Sequence, residues 1–149
     1  MGWAIELVCA SALMSSSVAA ATPPDINKDV IEYRQHIMST LNEQAAALGQ
    51  ILSGAIPDDN LAAHLEAIAL TSSTALKAFE RKVPGGEAKA EVWSNWADFS
   101  KRMNEFVRKT AQTAKAAQQG VCKDDLTTDI VDALSCKSCH ETYRSEKKK

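Results

Sequence analysis

The 149-residue chain has the length of one domain, and its 17 Lys and Arg side chains nearly balance 19 Asp and Glu side chains. This balance excludes a strongly basic nucleic-acid binder and leaves no electrostatic drive toward a membrane surface. Glycine and proline are scarce, with 6 and 4 residues, while alanine is frequent throughout the chain. Such a composition favours helices over strands.

The first 21 residues have the pattern of a secretory signal peptide. A short apolar run covers residues 7–14, and three alanines at 19–21 precede Thr22. The segment before the run departs from the pattern, because it carries Glu6 and no Lys or Arg. The alternative is a buried N-terminal helix, since the run is too short to span a membrane. We expect export to the periplasm and a mature domain of residues 22–149 without an integral membrane segment.

Four amphipathic helices are predicted in the mature chain. The first covers about residues 27–53, and the second begins at the acidic pair 58–59 and ends before the Val-Pro-Gly-Gly break at 83–86. The third runs from about 88 to 119, and the fourth begins near 124–125 and continues into a cysteine motif. Joined by short connections, they most simply form an antiparallel four-helix bundle, so the predicted fold class is all-α.

The apolar face of the first helix contains one charge. Its members recur at spacings of three and four residues: Val30, Arg34, Met38, Leu41, Ala45, Leu48 and Leu52. The ordinary role of an arginine is a surface salt bridge, but a place on this face favours a buried role for Arg34. In the third helix we assign Phe106 to the core, and leave Trp93 and Trp96 open between the core and the wall of a cofactor site.

Residues 136–140 carry the strongest chemical signal in the chain. They have the pattern Cys-x-x-Cys-His, which is that of covalent haem attachment. At about 100° per residue, Cys136, Cys139 and His140 fall on one face of a helix. Two thiols can then reach two haem vinyl groups while the imidazole faces the iron. The motif predicts one haem c per chain, held by Cys136 and Cys139, with His140 as an iron ligand.

A redox dithiol and half of a zinc site are the alternatives for this motif. A thioredoxin-like dithiol would begin a helix in an α/β fold, whereas this motif is predicted to end a helical chain. A zinc site needs further ligands, and only His36, His64 and Cys122 remain in the mature chain, scattered along it. We interpret both histidines as surface residues and Cys122 as a partly buried thiol.

With these motifs the mature chain resembles the cytochrome c prime family and its low-spin relatives. The similarity rests on Tyr33-Arg34-Gln35 with Met38, on Gly85-Gly86-Glu87, on Glu91-Val92-Trp93-Ser94, and on the haem motif with Tyr143-Arg144. The resemblance implies a four-helix bundle with the haem near the C-terminus. Members of the family often dimerise through their first two helices, so a homodimer is an expectation for this chain.

The resemblance also implies roles for individual residues. Arg34 matches an arginine beside the haem and its propionates, and Gln35 matches a further haem contact. Glu87 falls in a loop that approaches the haem edge. Arg144 matches an arginine near the proximal imidazole, and a solvated cation at a helix end is its alternative role.

Met38 decides between two functions, because it matches the distal position of the family. If its thioether binds the iron, the protein is a six-coordinate carrier that passes single electrons to partner redox proteins. If Met38 only crowds the distal face, the iron is five-coordinate and the protein binds nitric oxide or carbon monoxide. The place of Met38 four residues after Arg34, on the same apolar face, favours the Met38-ligated carrier. An enzyme is not predicted, since the distal face offers no acid–base pair.

Overall fold

The computed structural model describes residues 25–146. The predicted signal peptide lies outside the described residues. The helices are α1 (Ile26–Leu52), α2 (Leu61–Glu80), the short α3 (Glu91–Ser94), α4 (Trp96–Gln118), α5 (Lys123–Ala133) and α6 (Cys136–Tyr143), with one 3₁₀ turn (Asp58–Asn60) before α2. The chain is all-α, and α1, α2, α4 and α5 with α6 form the predicted antiparallel four-helix bundle.

The start of α1 and the turn that follows it agree with their local sequence signals. Asp25 caps α1, because its Oδ1 accepts hydrogen bonds from the amides of Asn27 and Lys28. After α1 the chain turns at Gly54, whose φ of 77° lies in the left-handed region that suits glycine. The first two predicted helices therefore lie close to their observed bounds.

The core lies mainly where α2 meets α1 and α4. Its side chains are aliphatic and aromatic, and include Leu48, Ile51, Ile68 and Phe99. One polar pair is buried among them, where Ser72 Oγ and Thr110 Oγ1 lie 2.9 Å apart and link α2 to α4. Each hydroxyl has one hydrogen, so one of the two donates across the pair while the other donates to a carbonyl of its own helix, and both oxygens are hydrogen-bonded.

Two helices that were predicted to be continuous are interrupted in the structure, so these predictions are wrong. The third does not begin at residue 88 and is interrupted at Asn95, whose φ of −120° and ψ of 47° leave the helical region. The fourth is interrupted at Leu134 and Ser135, and α6 begins afresh at Cys136. The haem motif therefore begins a helix, as a thioredoxin-like dithiol would. The argument against a dithiol is then the fold, because such a dithiol belongs to an α/β protein and this chain is all-α.

The loop between α2 and α3 lies tightly against α1. Gly85 and Gly86 both have positive φ, and a Cβ on either would come within 3.0 Å of the Ile31 side chain. Further along, Ala88 pairs with Arg144 in an isolated β-bridge, and the Lys89 amide donates to the Tyr143 carbonyl at 3.0 Å. The loop thus connects α1 to the end of α6. None of the described helices is long and apolar enough to cross a membrane.

Candidate cofactor site

A cavity of about 960 Å³ lies between α1 on one side and α4, α5 and α6 on the other. It occurs there because α1 packs extensively against α2 but not against α5 or α6. All eight residues that the sequence analysis selected line this cavity: Arg34, Gln35, Met38, Glu87, Cys136, Cys139, His140 and Arg144. Residues 34 and 144 belong to opposite ends of the chain, and the fold brings them to one site.

The two cysteines and the histidine of the motif lie on the first turns of α6. Cys136 is exposed, whereas Cys139 and His140 are half-buried at the cavity wall. Burial raises the pKa of the Cys139 thiol, and the Arg102 guanidinium opposes that shift. Burial lowers the pKa of the His140 imidazole, and the charge of Arg144 lowers it further. At neutral pH the imidazole is therefore neutral, which is the form that binds a metal.

Arg34 is buried, with 3% of its surface exposed. Its Nη1 donates to the Val83 carbonyl at 2.8 Å and its Nη2 donates to the Gly85 carbonyl at 3.2 Å. The guanidinium carbon lies 5.4 Å from the ring centre of Phe79 and 5.2 Å from that of Trp93. Within residues 25–146 no carboxylate comes within ion-pair distance of Arg34. The surface-salt-bridge alternative for Arg34 is therefore wrong.

The α1 wall of the cavity is lined by Met38, Leu41 and Ala45, with Arg34 one turn before Met38. Met38 is half-buried and packs against the hydrophobic core. Within the described part of α1, no carboxylate or imidazole lines the cavity. On α4 a second thioether, Met103, also lines it, which the sequence analysis did not anticipate.

The aromatic residues of the third predicted helix divide between the core and the cavity wall differently from the prediction. Phe106, assigned to the core, lines the cavity and also packs against the core. Of the two roles considered for Trp93 and Trp96, the structure shows the core, because both pack against it and neither lines the cavity. Trp93 instead donates from Nε1 to the Phe79 carbonyl at 3.0 Å, and Trp96 packs against Phe99 with ring centres 5.7 Å apart.

The remaining histidines and Cys122 lie outside the cavity lining. His36 is exposed as predicted, but His64 is half-buried, and its Nδ1 lies 2.8 Å from Gln44 Oε1. Cys122 is exposed rather than partly buried, and its Sγ lies 3.1 Å from Asp125 Oδ2. Among the described residues no cluster of three or more His, Cys, Asp or Glu could hold a metal ion, so a zinc site gains no support.

Polar residues of α4 line the cavity beside α6 and were missed by the sequence analysis. Asp98 Oδ2 accepts hydrogen bonds from the Tyr143 hydroxyl and from Arg102 Nε, both at 2.6 Å. These bonds, from Tyr143 first and then Arg102, hold the pKa of the Asp98 carboxyl below its usual range. Burial and the bond to Asp98 raise the pKa of Tyr143 to about 12. The only sequence signal was Tyr143 itself, within the Tyr143-Arg144 pair.

The lining of the cavity fits haem c. Its volume is at the upper end of the range of about 300–1,000 Å³ that is common for small-molecule sites. The two thiols of α6 can form thioether bonds to vinyl groups, and the imidazole and thioethers are recognised iron ligands. The buried Arg34 guanidinium, which has no carboxylate partner in the described part of the chain, suits the acidic propionates of the same group.

The family model described as Cytochrome C' matches residues 29–144 of this chain. The chain belongs to the cytochrome c prime family. The cytochrome c' of Pararhodospirillum photometricum is 34% identical over 123 residues, which cover 76% of this chain and 94% of that protein. As a family member, this protein binds haem c with its iron.

Solved structures of the same family have the same fold. A nitric oxide complex of a cytochrome c prime variant from Alcaligenes xylosoxidans is 28% identical, with a TM-score of 0.74, and the match covers 80% of this chain and 97% of that chain. A carbon monoxide-bound variant of the same protein is 27% identical, with a TM-score of 0.75, over 82% of this chain and 98% of that chain.

Proposed function

We propose that this protein is an exported, periplasmic haem protein that binds nitric oxide or carbon monoxide on the Met38 side of its haem. The observation that carries the proposal is the α1 wall, where Met38, Leu41 and Ala45 offer hydrocarbon and one thioether, and where the polar lining residues Gln35, Ser39 and Asn42 are uncharged. Such a wall admits a small, weakly polar gas. It supplies no general acid or base for turning over a peroxide, so we assign no enzymatic activity.

In this proposal Cys136 and Cys139 would hold the haem through thioether bonds, and the His140 imidazole would bind its iron. When bound, the group supplies an iron centre that takes a diatomic gas or exchanges one electron. The depressed pKa of His140 supports the assignment, because the ring is available for binding without first losing a proton.

Arg34 has an electrostatic role in the same proposal. A buried cation without an opposite charge is costly, and the two loop carbonyls of residues 83 and 85 supply partial charge only. We assign a haem propionate as the missing anion. Gln35 and Glu87 line the same part of the cavity, where Gly86 lies close to the Gln35 side chain. Arg144 pairs with Glu87, with 2.7 Å between Nε and Oε2, and so closes this edge.

The solved relatives support gas binding over electron transfer, because those structures hold nitric oxide and carbon monoxide. Electron transfer, with Met38 as a residue that would bind the iron together with His140, is the second candidate. It is supported by the place of Met38 on the cavity wall, one helical turn after Arg34. In that case the partners are redox proteins. A homodimer stays a prediction in either case.

The test is a spectroscopic comparison of two matched substitutions, Met38→Leu and Met103→Leu. Both exchange a thioether of the cavity wall for a side chain of similar volume, so packing is conserved while a sulfur ligand is lost. Spin state is recorded by absorption and electron paramagnetic resonance, and the reduced proteins are titrated with carbon monoxide.

Gas binding predicts a high-spin wild type that binds carbon monoxide, with neither substitution changing the spin state. The electron-carrier candidate predicts a low-spin wild type that excludes carbon monoxide and turns high-spin only in Met38→Leu. A low-spin wild type that changes only in Met103→Leu would contradict both candidates and place the ligand on α4.

A further inference from the structure

The His140 imidazole has no direct hydrogen-bonding partner among residues 25–146. Histidine ligands almost always donate their second ring N–H to a carboxylate, a carbonyl or water, which fixes the ring plane. No described residue makes a hydrogen bond with the His140 ring, and the charges that act on it are those of Arg144 and Glu87, which bond to each other. Among the described residues, the orientation of the ring must therefore come from the placement of α6 itself.

Helix α6 is short and depends on tertiary contacts for its placement. It has eight residues, which is fewer than an isolated helix needs for stability. Its one buried side chain is Tyr143, which has 3% of its surface exposed. Tyr143 follows His140 by three residues and Cys139 by four, so it shares a helical face with both.

Tyr143 is fixed to α4 by several directional contacts. Its hydroxyl donates to Asp98 Oδ2 at 2.6 Å, and it accepts a longer bond of 3.3 Å from Asn95 Nδ2. Its ring meets the Phe99 ring edge-on, with the two ring centres 5.1 Å apart. The Asp98 carboxylate also accepts a hydrogen bond from Arg102 Nε at 2.6 Å, so a second contact, independent of Tyr143, holds it in place.

We propose that Asp98 is a positioning residue that acts through the Tyr143 hydroxyl to set the rotation of α6, and thereby the plane of the His140 imidazole at the iron. The packing of Phe99 and Tyr143 brings α6 to α4, whereas the charge-assisted hydrogen bond selects one rotation of the helix. The inference rests on His140 being the iron ligand proposed above.

The test uses the oxidised haem protein labelled with ¹⁵N-histidine, in the wild type, Tyr143→Phe, Asp98→Asn and the double variant. Tyr143→Phe keeps the ring that packs on Phe99 and removes only the hydroxyl. Tyr33→Phe is the matched control, because Tyr33 is the other tyrosine of the chain and is 54% exposed. The paramagnetic iron shifts the ring signals of a bound histidine strongly, and these shifts depend on the ring plane in either spin state.

We expect Tyr143→Phe and Asp98→Asn to move the His140 signals in the same direction, and Tyr33→Phe to leave them in place. The double variant is expected to move them no further than the larger single change. Unmoved His140 signals, with or without a lower melting temperature, would overturn the inference and reduce the pair to a stabilising contact. Additive shifts would also overturn it, because Asp98 would then act independently of Tyr143.

A wild type without any iron-shifted histidine signal would instead refute His140 as the ligand, and the inference with it. Signals of His36 and His64 serve as internal references, since neither residue lines the cavity.

Discussion

The two long sides of this bundle are built on different principles. Between α2 and α4 the helices meet directly, and the space is filled by core side chains and by the buried Ser72–Thr110 pair. Between α1 and α5–α6 the helices stand apart around the cavity of about 960 Å³. One side is closed by the chain alone, whereas the other is the site that we propose for haem c.

The comparison shows how a small bundle accommodates a large planar group without losing its core. The α1–α2 and α2–α4 contacts fix three helices without any contribution from the cavity. The fourth position is divided between α5 and α6, so the segment that carries the attachment motif is short and separate. Substitutions at the cavity are therefore expected to change the haem more than the bundle, and those between α2 and α4 the reverse.

The largest effect is expected from Cys136→Ala combined with Cys139→Ala. We predict complete loss of covalent haem, while the α2–α4 amides keep their slow hydrogen exchange. Acidic, denaturing extraction measures the haem, and mass-resolved exchange measures the amides. Cys122→Ala is the matched control, because this exposed cysteine lies outside the cavity lining. Haem that resists extraction from the double variant would contradict the attachment assignment.

The next largest effect on the haem is expected from Arg34→Leu, which should also lower the stability of the protein. The Val83 and Gly85 carbonyls lose their donors, which costs about 1–3 kcal/mol of unfolding free energy. The midpoint potential and its pH dependence should also change, because the propionate loses its cation.

Arg108→Leu is the control for Arg34→Leu. Arg108 is exposed and pairs with Glu105 on the same helix, so its loss should cost well under about 1 kcal/mol. A potential that stays at the wild-type value across pH in Arg34→Leu would contradict the propionate assignment.

Ser72→Ala tests the closed side of the bundle. It removes the hydroxyl that meets Thr110, and we expect a loss of about 1 kcal/mol in urea unfolding with an unchanged haem spectrum. Ser73→Ala is the adjacent control, since Ser73 is exposed and bonds only to a carbonyl of its own helix. A changed spectrum in Ser72→Ala would show that the two sides of the bundle are not independent.

The smallest effect is a pH dependence at the Asp98–Tyr143 pair. The pKa of Asp98 is depressed in the folded protein. The contribution of Asp98 to the free energy of unfolding is therefore complete above the pKa of the unfolded chain, near 4, and is lost as the pH falls through the pKa of the folded protein. The pKa of Tyr143 is raised to about 12. The contribution of Tyr143 to the free energy of unfolding is therefore complete below about pH 10, the usual pKa of a tyrosine, and is lost as the pH rises through about 12.

Urea unfolding of the wild type and of Asp98→Asn from pH 3 to 12 measures the acidic loss through Asp98 and the alkaline loss through Tyr143. The stability difference between the two proteins should be largest and flat between about pH 5 and 9. A difference that grows below pH 4 would contradict the assigned direction for Asp98.

The fold and five of the eight cavity residues were predictable from local patterns in the sequence, whereas Gln35, Glu87 and Arg144 were selected through the resemblance to the cytochrome c prime family. Arg34 was recognisable as a charge on an apolar face, and residues 136–140 as a fixed spacing. The breaks at Asn95 and Ser135 were missed, since neither has a glycine or proline and the apolar periodicity continues through them. Asn95 makes its polar contact with Tyr143, 48 residues away, and Asp98 bonds to the same residue at a separation of 45. Spacing within one helix cannot reveal such pairs.

The loop between α2 and α3 has a consequence for the order of folding. Arg34 bonds to carbonyls 49 and 51 residues further along, and Glu87 pairs with Arg144 at a separation of 57. Two long chain segments must close before this loop is held at both ends, and closing them costs entropy that local helix contacts do not. We therefore expect the α1–α2 and α2–α4 hairpins to form in the transition state. The contacts of the loop with Arg34 and Arg144 should form after it. Substitutions in the loop should then accelerate unfolding while leaving the refolding rate almost unchanged.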